Sequence, residues 1–178
     1  MSDVPGALNF RDVGGLPAGA ARTRAGVLFR SGNLARLDDD GRAVLARLGI
    51  RRIVYASSET VQGLPFDVPP PYIPVDEEYP ARPESVYSLV KHLEETMAIE
   101  LVRWHPEVSI TALRFSNVMV PEDYREFPGF DADARARKWN LWSYIDARDG
   151  AHNGWVTRHL LADAPTSLVT ARMGAHTA

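Results

Sequence analysis

The chain has 178 residues, enough for one ordinary domain with a sizeable core. Its composition is 45% hydrophobic and 24% charged with a net charge of -3, which reads as soluble and globular and offers no basic block for a nucleic-acid partner. There are no cysteines, so disulfides, thiolate metal sites and cysteine nucleophiles are excluded.

Met1 to Arg11 has no apolar signal core, and no apolar run approaches the roughly 18 residues of a membrane span. The expected location is the cytoplasm, with no membrane partner. Met1 to Gly26 is rich in Gly, Ala and Pro, and Gly14-Gly15-Leu-Pro-Ala-Gly19 is turn material. Val27 to Phe29 is a short strand candidate. Asp38, Asp39 and Asp40 precede Val44, Leu45 and Leu48, a spacing that predicts a short amphipathic helix with acids at its positive end. Gly49 is its expected stop.

Ile53 to Ala56 predicts a buried strand. Val61 to Pro83 is punctuated by prolines and predicts an extended loop. Glu84 to Trp104 predicts a long helix, with Val86, Val90, Leu93, Met97 and Leu101 forming one apolar stripe. Pro83 suits its start, and His105-Pro106 ends it. Ser109 to Val118 predicts a strand, Glu122 to Asp133 a loop, Ala134 to Trp142 a short helix and Ser143 to Ile145 a strand. Beyond Ala151 the pattern weakens. Asn153-Gly154 signals a turn, Trp155 to Leu161 allows a turn or two of helix, and Pro165 to Ala178 reads as a loose tail. Strand, loop, helix and strand in this order predict an α/β fold with a parallel sheet.

Tyr87 and Lys91 lie four residues apart and share a helix face, beside the apolar stripe. An ammonium group beside a phenol favours the phenolate, which suits a proton shuttle. Ser57 and Ser58 follow the predicted strand, where the carboxyl ends of parallel strands present functional loops. Each feature also has an ordinary meaning: a helix-surface pair for the first, a cap or turn for the second. The histidines show no ligand spacing and read as surface residues, so no metal is expected. Trp104, Trp139, Trp142 and Trp155 read as core or pocket wall, and Glu94-Glu95 as a solvated helix face with either acid able to reach Lys91.

Three segments together carry a family resemblance. Val54-Tyr-Ala-Ser-Ser-Glu-Thr-Val-Gln-Gly63, Pro83-Glu-Ser-Val-Tyr-Ser-Leu-Val-Lys91 and Leu113-Arg-Phe-Ser-Asn-Val118 occur in the order found in extended short-chain dehydrogenase/reductases. More narrowly, about Ile50 to Asp149 resembles the NAD-dependent epimerase/dehydratase group. The resemblance implies NAD or NADP as cofactor, and hydride exchange with a carbon of a sugar or nucleotide sugar. It implies Ser58 as the residue orienting the substrate oxygen, Tyr87 as the acid/base, and Lys91 as the ribose-holding lysine. Asn117 would fall in the lining of the nicotinamide and substrate pocket. Tyr144 to Asp149 resembles a later, mainly structural motif. The family's opening glycine turn, G-x-x-G-x-x-G, has no counterpart in these residues. The expected fold is therefore a partial Rossmann-like parallel sheet with flanking helices, lacking the N-terminal glycine-rich unit. Its open edge makes a homodimer one expected form.

Asn9-Phe-Arg-Asp-Val-Gly-Gly-Leu16, Gly26-Val-Leu-Phe-Arg-Ser31 and Leu45-Ala-Arg-Leu-Gly-Ile50 resemble the opening of bacterial tyrosine/serine phosphatases. That family uses a cysteine thiolate, so the resemblance brings no nucleophile here, and a serine hydroxyl does not replace one directly. The expected organisation is a phosphatase-like segment at 1–49, an epimerase/dehydratase-like segment at 50–150 and a poorly patterned tail at 151–178. The functional alternatives are an oxidoreductase acting on a small-molecule substrate, a non-catalytic hybrid or fragment, and a phosphatase relative without its cysteine.

Overall fold

A computed structural model describes residues 4–73, 75, 78–140, 144–150 and 169–172. For residues 139, 140 and 169–172 it describes the backbone alone. The chain divides into two compact units, Met1–Ile50 and Arg51–Ala178.

In the first unit, strand β1 (Arg11–Asp12) pairs antiparallel with β4 (Phe29–Arg30), and β2 (Pro17–Ala18) with β3 (Ala21–Arg22). The stretch expected as turns alone thus contains small hairpins, and the strand expected at Val27 begins at Phe29. Asp12 pins this region. Its carboxylate accepts from the backbone N–H of Gly14 at 2.8 Å and of Gly26 at 2.6 Å. The rings of Phe10 and Phe29 stack with centroids 5.5 Å apart. Helix α1 (Asp39–Arg47) forms where expected. Asp38 caps it, accepting from Gly41 N–H at 2.8 Å, and Gly49 follows at φ +61°. Gly41 is required by close approach, because a Cβ there would stand 2.1 Å from the Pro5 carbonyl oxygen.

The second unit is built on a parallel sheet in the order β5 (Arg52–Ser58), β6 (Ser109–Phe115), β9 (Val169–Arg172). Strands β5 and β6 run in register from Arg52↔Ser109 to Ser58↔Phe115. Helix α2 (Val86–Trp104) connects and packs on them. A second parallel pair joins β7 (Asn117–Met119) to β8 (Tyr144–Asp146). Val61, Leu64, Ala98, Ile110, Ala112, Leu113, Met119 and Ile145 are buried and supply the apolar core. No helix among the described residues is long and apolar enough to cross a membrane.

Pro121–Glu126 forms a 3-10 helix and Phe127–Phe130 a short helix, α3, in place of the expected loop. Tyr124 and Phe127 pack against Tyr144 with ring centroids 6.0 and 5.3 Å away, so aromatic contact orders a segment with little periodicity. Val169–Arg172 leaves the expected loose tail to pair with β6, because a sheet edge satisfies its backbone groups. Helix α4 (Ala134–Asn140) lies within its expected span and β8 overlaps its own, ending one residue later at Asp146, while Trp142, Ser143 and Trp155 to Leu161 lie outside the described residues. Trp104 is exposed rather than core, and His92 is half-buried with its Nδ1 enclosed rather than a surface residue.

Helix α2 turns inward a different face from the one expected. The stripe residues Val86, Val90, Leu93 and Met97 are exposed, whereas Ser88, Glu95 and Ala98 are buried. Small Ser88 and Ala98 permit close approach to the sheet. Glu95 is bound there by Arg114 and Ser57. The helix start is a reciprocal capping box: Ser85 Oγ accepts from Ser88 N–H at 3.1 Å, and Ser88 Oγ accepts from Ser85 N–H at 2.9 Å. Ser85→Ala is expected to cost about 0.5–2 kcal/mol, read as a lower urea midpoint for the second unit.

Candidate functional site

The first turn of α2 carries Tyr87 to the rim of a cleft of about 500 Å³. Thr60 from the 3-10 turn Glu59–Gln62 lines the same cleft, with Asp67, Glu84, Asp133 and Arg135 as its charged groups. Arg135 pairs with Asp67 at 2.8 Å. Tyr87 is 57% exposed, so its phenol is open to a ligand.

Lys91 lies one turn along the same face, its Nζ 6.0 Å from the centroid of the Tyr87 ring. It donates to the Ala56 carbonyl at 3.0 Å and pairs with Glu94 at 2.9 Å. The helix-face spacing read from the sequence therefore does bring the phenol and the ammonium group together.

Ser58 is buried and caps the 3-10 turn. Its Oγ accepts from Thr60 N–H at 3.3 Å and from the Thr60 hydroxyl at 3.0 Å. Thr60 thus relays the position of Ser58 to the cleft wall. The turn closes at Gly63, whose φ of +93° favours glycine, with the Arg82 carbonyl oxygen 3.1 Å from where a Cβ would stand. Asn117 sits apart on β7, opposite Tyr144 of β8, and does not line this cleft.

Beneath these residues lies a charged anchor that the sequence reading placed in solvent. Glu95 is 4% exposed. It accepts from Arg114 of β6 through Nε at 2.9 Å and Nη2 at 2.8 Å, and from the Ser57 hydroxyl at 2.6 Å. Burial pushes its carboxyl up, but the hydrogen bonds from Arg114 and Ser57 outweigh burial and hold it below its ordinary value. The available signal was its place one turn beyond Lys91 on the same row. Tyr55, beside this network on β5, has its hydroxyl enclosed without a partner, and burial raises its pKa.

A second clamp holds β8. Asp146 accepts from Arg148 Nε at 2.8 Å and Nη2 at 2.7 Å, and from the Tyr124 hydroxyl. The Arg148 guanidinium, then the Tyr124 hydroxyl, hold the Asp146 carboxyl well below the carboxylate range. No cluster of three or more metal-ligating side chains occurs among the described residues.

The NAD dependent epimerase/dehydratase family model matches residues 42–142, and the tyrosine phosphatase family model matches residues 2–69. Triple specificity protein phosphatase PtpB of Mycobacterium tuberculosis is 48% identical over 71 residues, covering 39% of this chain and 25% of that protein. A UDP-galactose 4-epimerase structure aligns with a TM-score of 0.55 at 25% identity, over 76% of this chain and 45% of its own. The UDP-glucose 4-epimerase from Bifidobacterium longum, solved with NAD+ and UDP, aligns with a TM-score of 0.53 at 16% identity, over 76% of this chain and 47% of its own; this likeness concerns the fold. The chain thus spans a quarter of the phosphatase and under half of each epimerase. The α/β fold is that of the Rossmann-type epimerases in part. Through more than half of its length the chain belongs to the NAD dependent epimerase/dehydratase family, with a phosphatase-like segment at its N-terminus.

Proposed function

We propose that the unit from Arg51 onward is the proton-transfer half of a nicotinamide-dependent epimerase or dehydratase for a sugar or nucleotide sugar, held in a hybrid chain without a dinucleotide anchor. The observation that carries this reading is the Tyr87–Lys91 face, docked at the carboxyl end of β5 beside an open cleft. In this reading Tyr87 exchanges a proton with a sugar hydroxyl, Lys91 orients the phenol, and Ser58 positions the substrate oxygen with Thr60. Asn117 and Lys91 are the residues assigned to the cofactor's nicotinamide end, and a homodimer is one way to cover the exposed apolar face of α2.

The remaining residues do not fit a whole NAD or NADP. A pyrophosphate needs free backbone N–H groups at a positive helix end. The N–H groups of Gly14 and Gly26 donate to Asp12, and that of Gly15 donates to the Thr23 carbonyl. Helix α1 begins at Asp38, Asp39 and Asp40, which repel a pyrophosphate. Lys91 is itself held by Ala56 and Glu94. The sequence elsewhere in these 178 residues supplies no glycine turn.

With NAD and UDP-galactose added, the chain is expected to form no UDP-glucose above a Tyr87→Phe control. Epimerisation that Tyr87→Phe abolishes would establish full activity and overturn the hybrid reading, leaving the assignment of Tyr87 intact.

A further inference from the structure

Lys91 and Glu95, four residues apart on α2, both bond to β5, and Tyr87 lies one turn before them on the same row. Lys91 reaches the carbonyl of Ala56, and Glu95 receives the hydroxyl of Ser57. The next residue, Ser58, caps the turn that brings Thr60 to the cleft. Three consecutive residues at the end of β5 thus meet the helix or shape the cleft wall. Only one of these contacts is backed by a buried ion pair, since Glu95 is clamped by both nitrogens of the Arg114 fork. A bidentate pair fixes orientation as well as distance. The exposed apolar stripe faces away from the sheet, and Lys91 and Glu95 supply the side-chain hydrogen bonds from α2 to β5.

We infer that Glu95 is a positioning residue for the proposed acid/base pair: its Arg114-clamped carboxylate, through the Ser57 hydroxyl, locks the rotation of α2 on β5 and so sets where Tyr87 and Lys91 stand at the cleft. This inference rests on the reading of Tyr87 as the proton-transferring group. It requires no step beyond hydrogen bonding, and it assigns Ser57 and Ser58 different tasks. Ser57 ties strand to helix, while Ser58 shapes the cleft.

The test uses the full chain labelled with 3-fluorotyrosine, with the Tyr87 fluorine resonance identified from Tyr87→Phe. Ser57→Ala removes the strand-to-helix bond and leaves the Glu95–Arg114 pair whole, so the variant stays folded. It is expected to move the Tyr87 resonance by more than the wild-type line width, or to split it, and Ser57→Thr is expected to restore it. Glu95→Gln is the stronger perturbation, and its fold is checked by circular dichroism. A Tyr87 resonance unmoved in folded Ser57→Ala, or moved equally in Ser57→Thr, overturns the inference. Turnover does not enter this readout, so an inactive chain with a displaced resonance keeps the positioning role while the catalytic reading falls.

Discussion

Arg114→Met is expected to destabilise the second unit by about 3–5 kcal/mol, because it leaves the Glu95 carboxylate buried without its partner. Both side chains are largely enclosed, at 11% and 6% exposure, so water does not take over the lost contacts. That loss is a large fraction of the stability of a small domain, roughly 5–15 kcal/mol. The sign of the pH dependence identifies the cause. In the native chain the Glu95 pKa lies below its ordinary value of 4.5. Its contribution is therefore present above that value and is lost as the pH falls through the lower, folded value. In Arg114→Met the guanidinium that opposed burial is gone, so burial pushes the carboxyl up, and the variant gains stability as the pH falls from neutral towards the ordinary value of 4.5. Urea midpoints at pH 7 and pH 4.5 separate the two cases. The double change Glu95→Leu with Arg114→Met removes both charges and is expected to recover much of the loss. A single variant as stable as the native chain would show that the pair is dispensable.

Leu113→Ala carries the next largest effect, about 2–5 kcal/mol. Leu113 is 2% exposed on β6, the middle strand between β5 and β9. Full burial of a leucine side chain is worth about 1.5–3 kcal/mol, and the cavity left behind adds to that because the flanking strands hold the backbone in place. The loss should appear in thermal unfolding of the second unit with little change at the Tyr87 cleft. An unchanged melting temperature would mean that β6 is not the core strand described here.

The long elements are legible from propensity and periodicity, though the faces they bury are not. Ile53–Ala56 lies within β5, although Ile53 and Val54 are exposed rather than buried, and the apolar periodicity after Pro83 marks the helix that Ser85 caps. Strands β1 to β4 are two residues each, too short for any period to emerge. Strand β9 was hidden because its pairing depends on the edge of β6 rather than on its own pattern. The orientation of α2 was misread for a more instructive reason. Apolar periodicity points to the stripe through Val90 and Leu93, whereas the buried positions are Ser88, Glu95 and Ala98. A carboxylate is normally solvated, and only the distant Arg114 reverses that expectation. At the site, the i,i+4 spacing of Tyr87 and Lys91 was readable, and so was the serine pair after the strand. The separate tasks of Ser57 and Ser58 depend on where α2 lands, and this the sequence pattern did not reveal.

The most direct test of a proton-transfer half without a dinucleotide anchor is titration of the full chain with NADH into the millimolar range, followed by fluorescence and melting temperature. A linear, unsaturated response with no rise in melting temperature is expected. A saturable fluorescence change accompanied by a melting-temperature increase would contradict the account and show that these residues hold the cofactor.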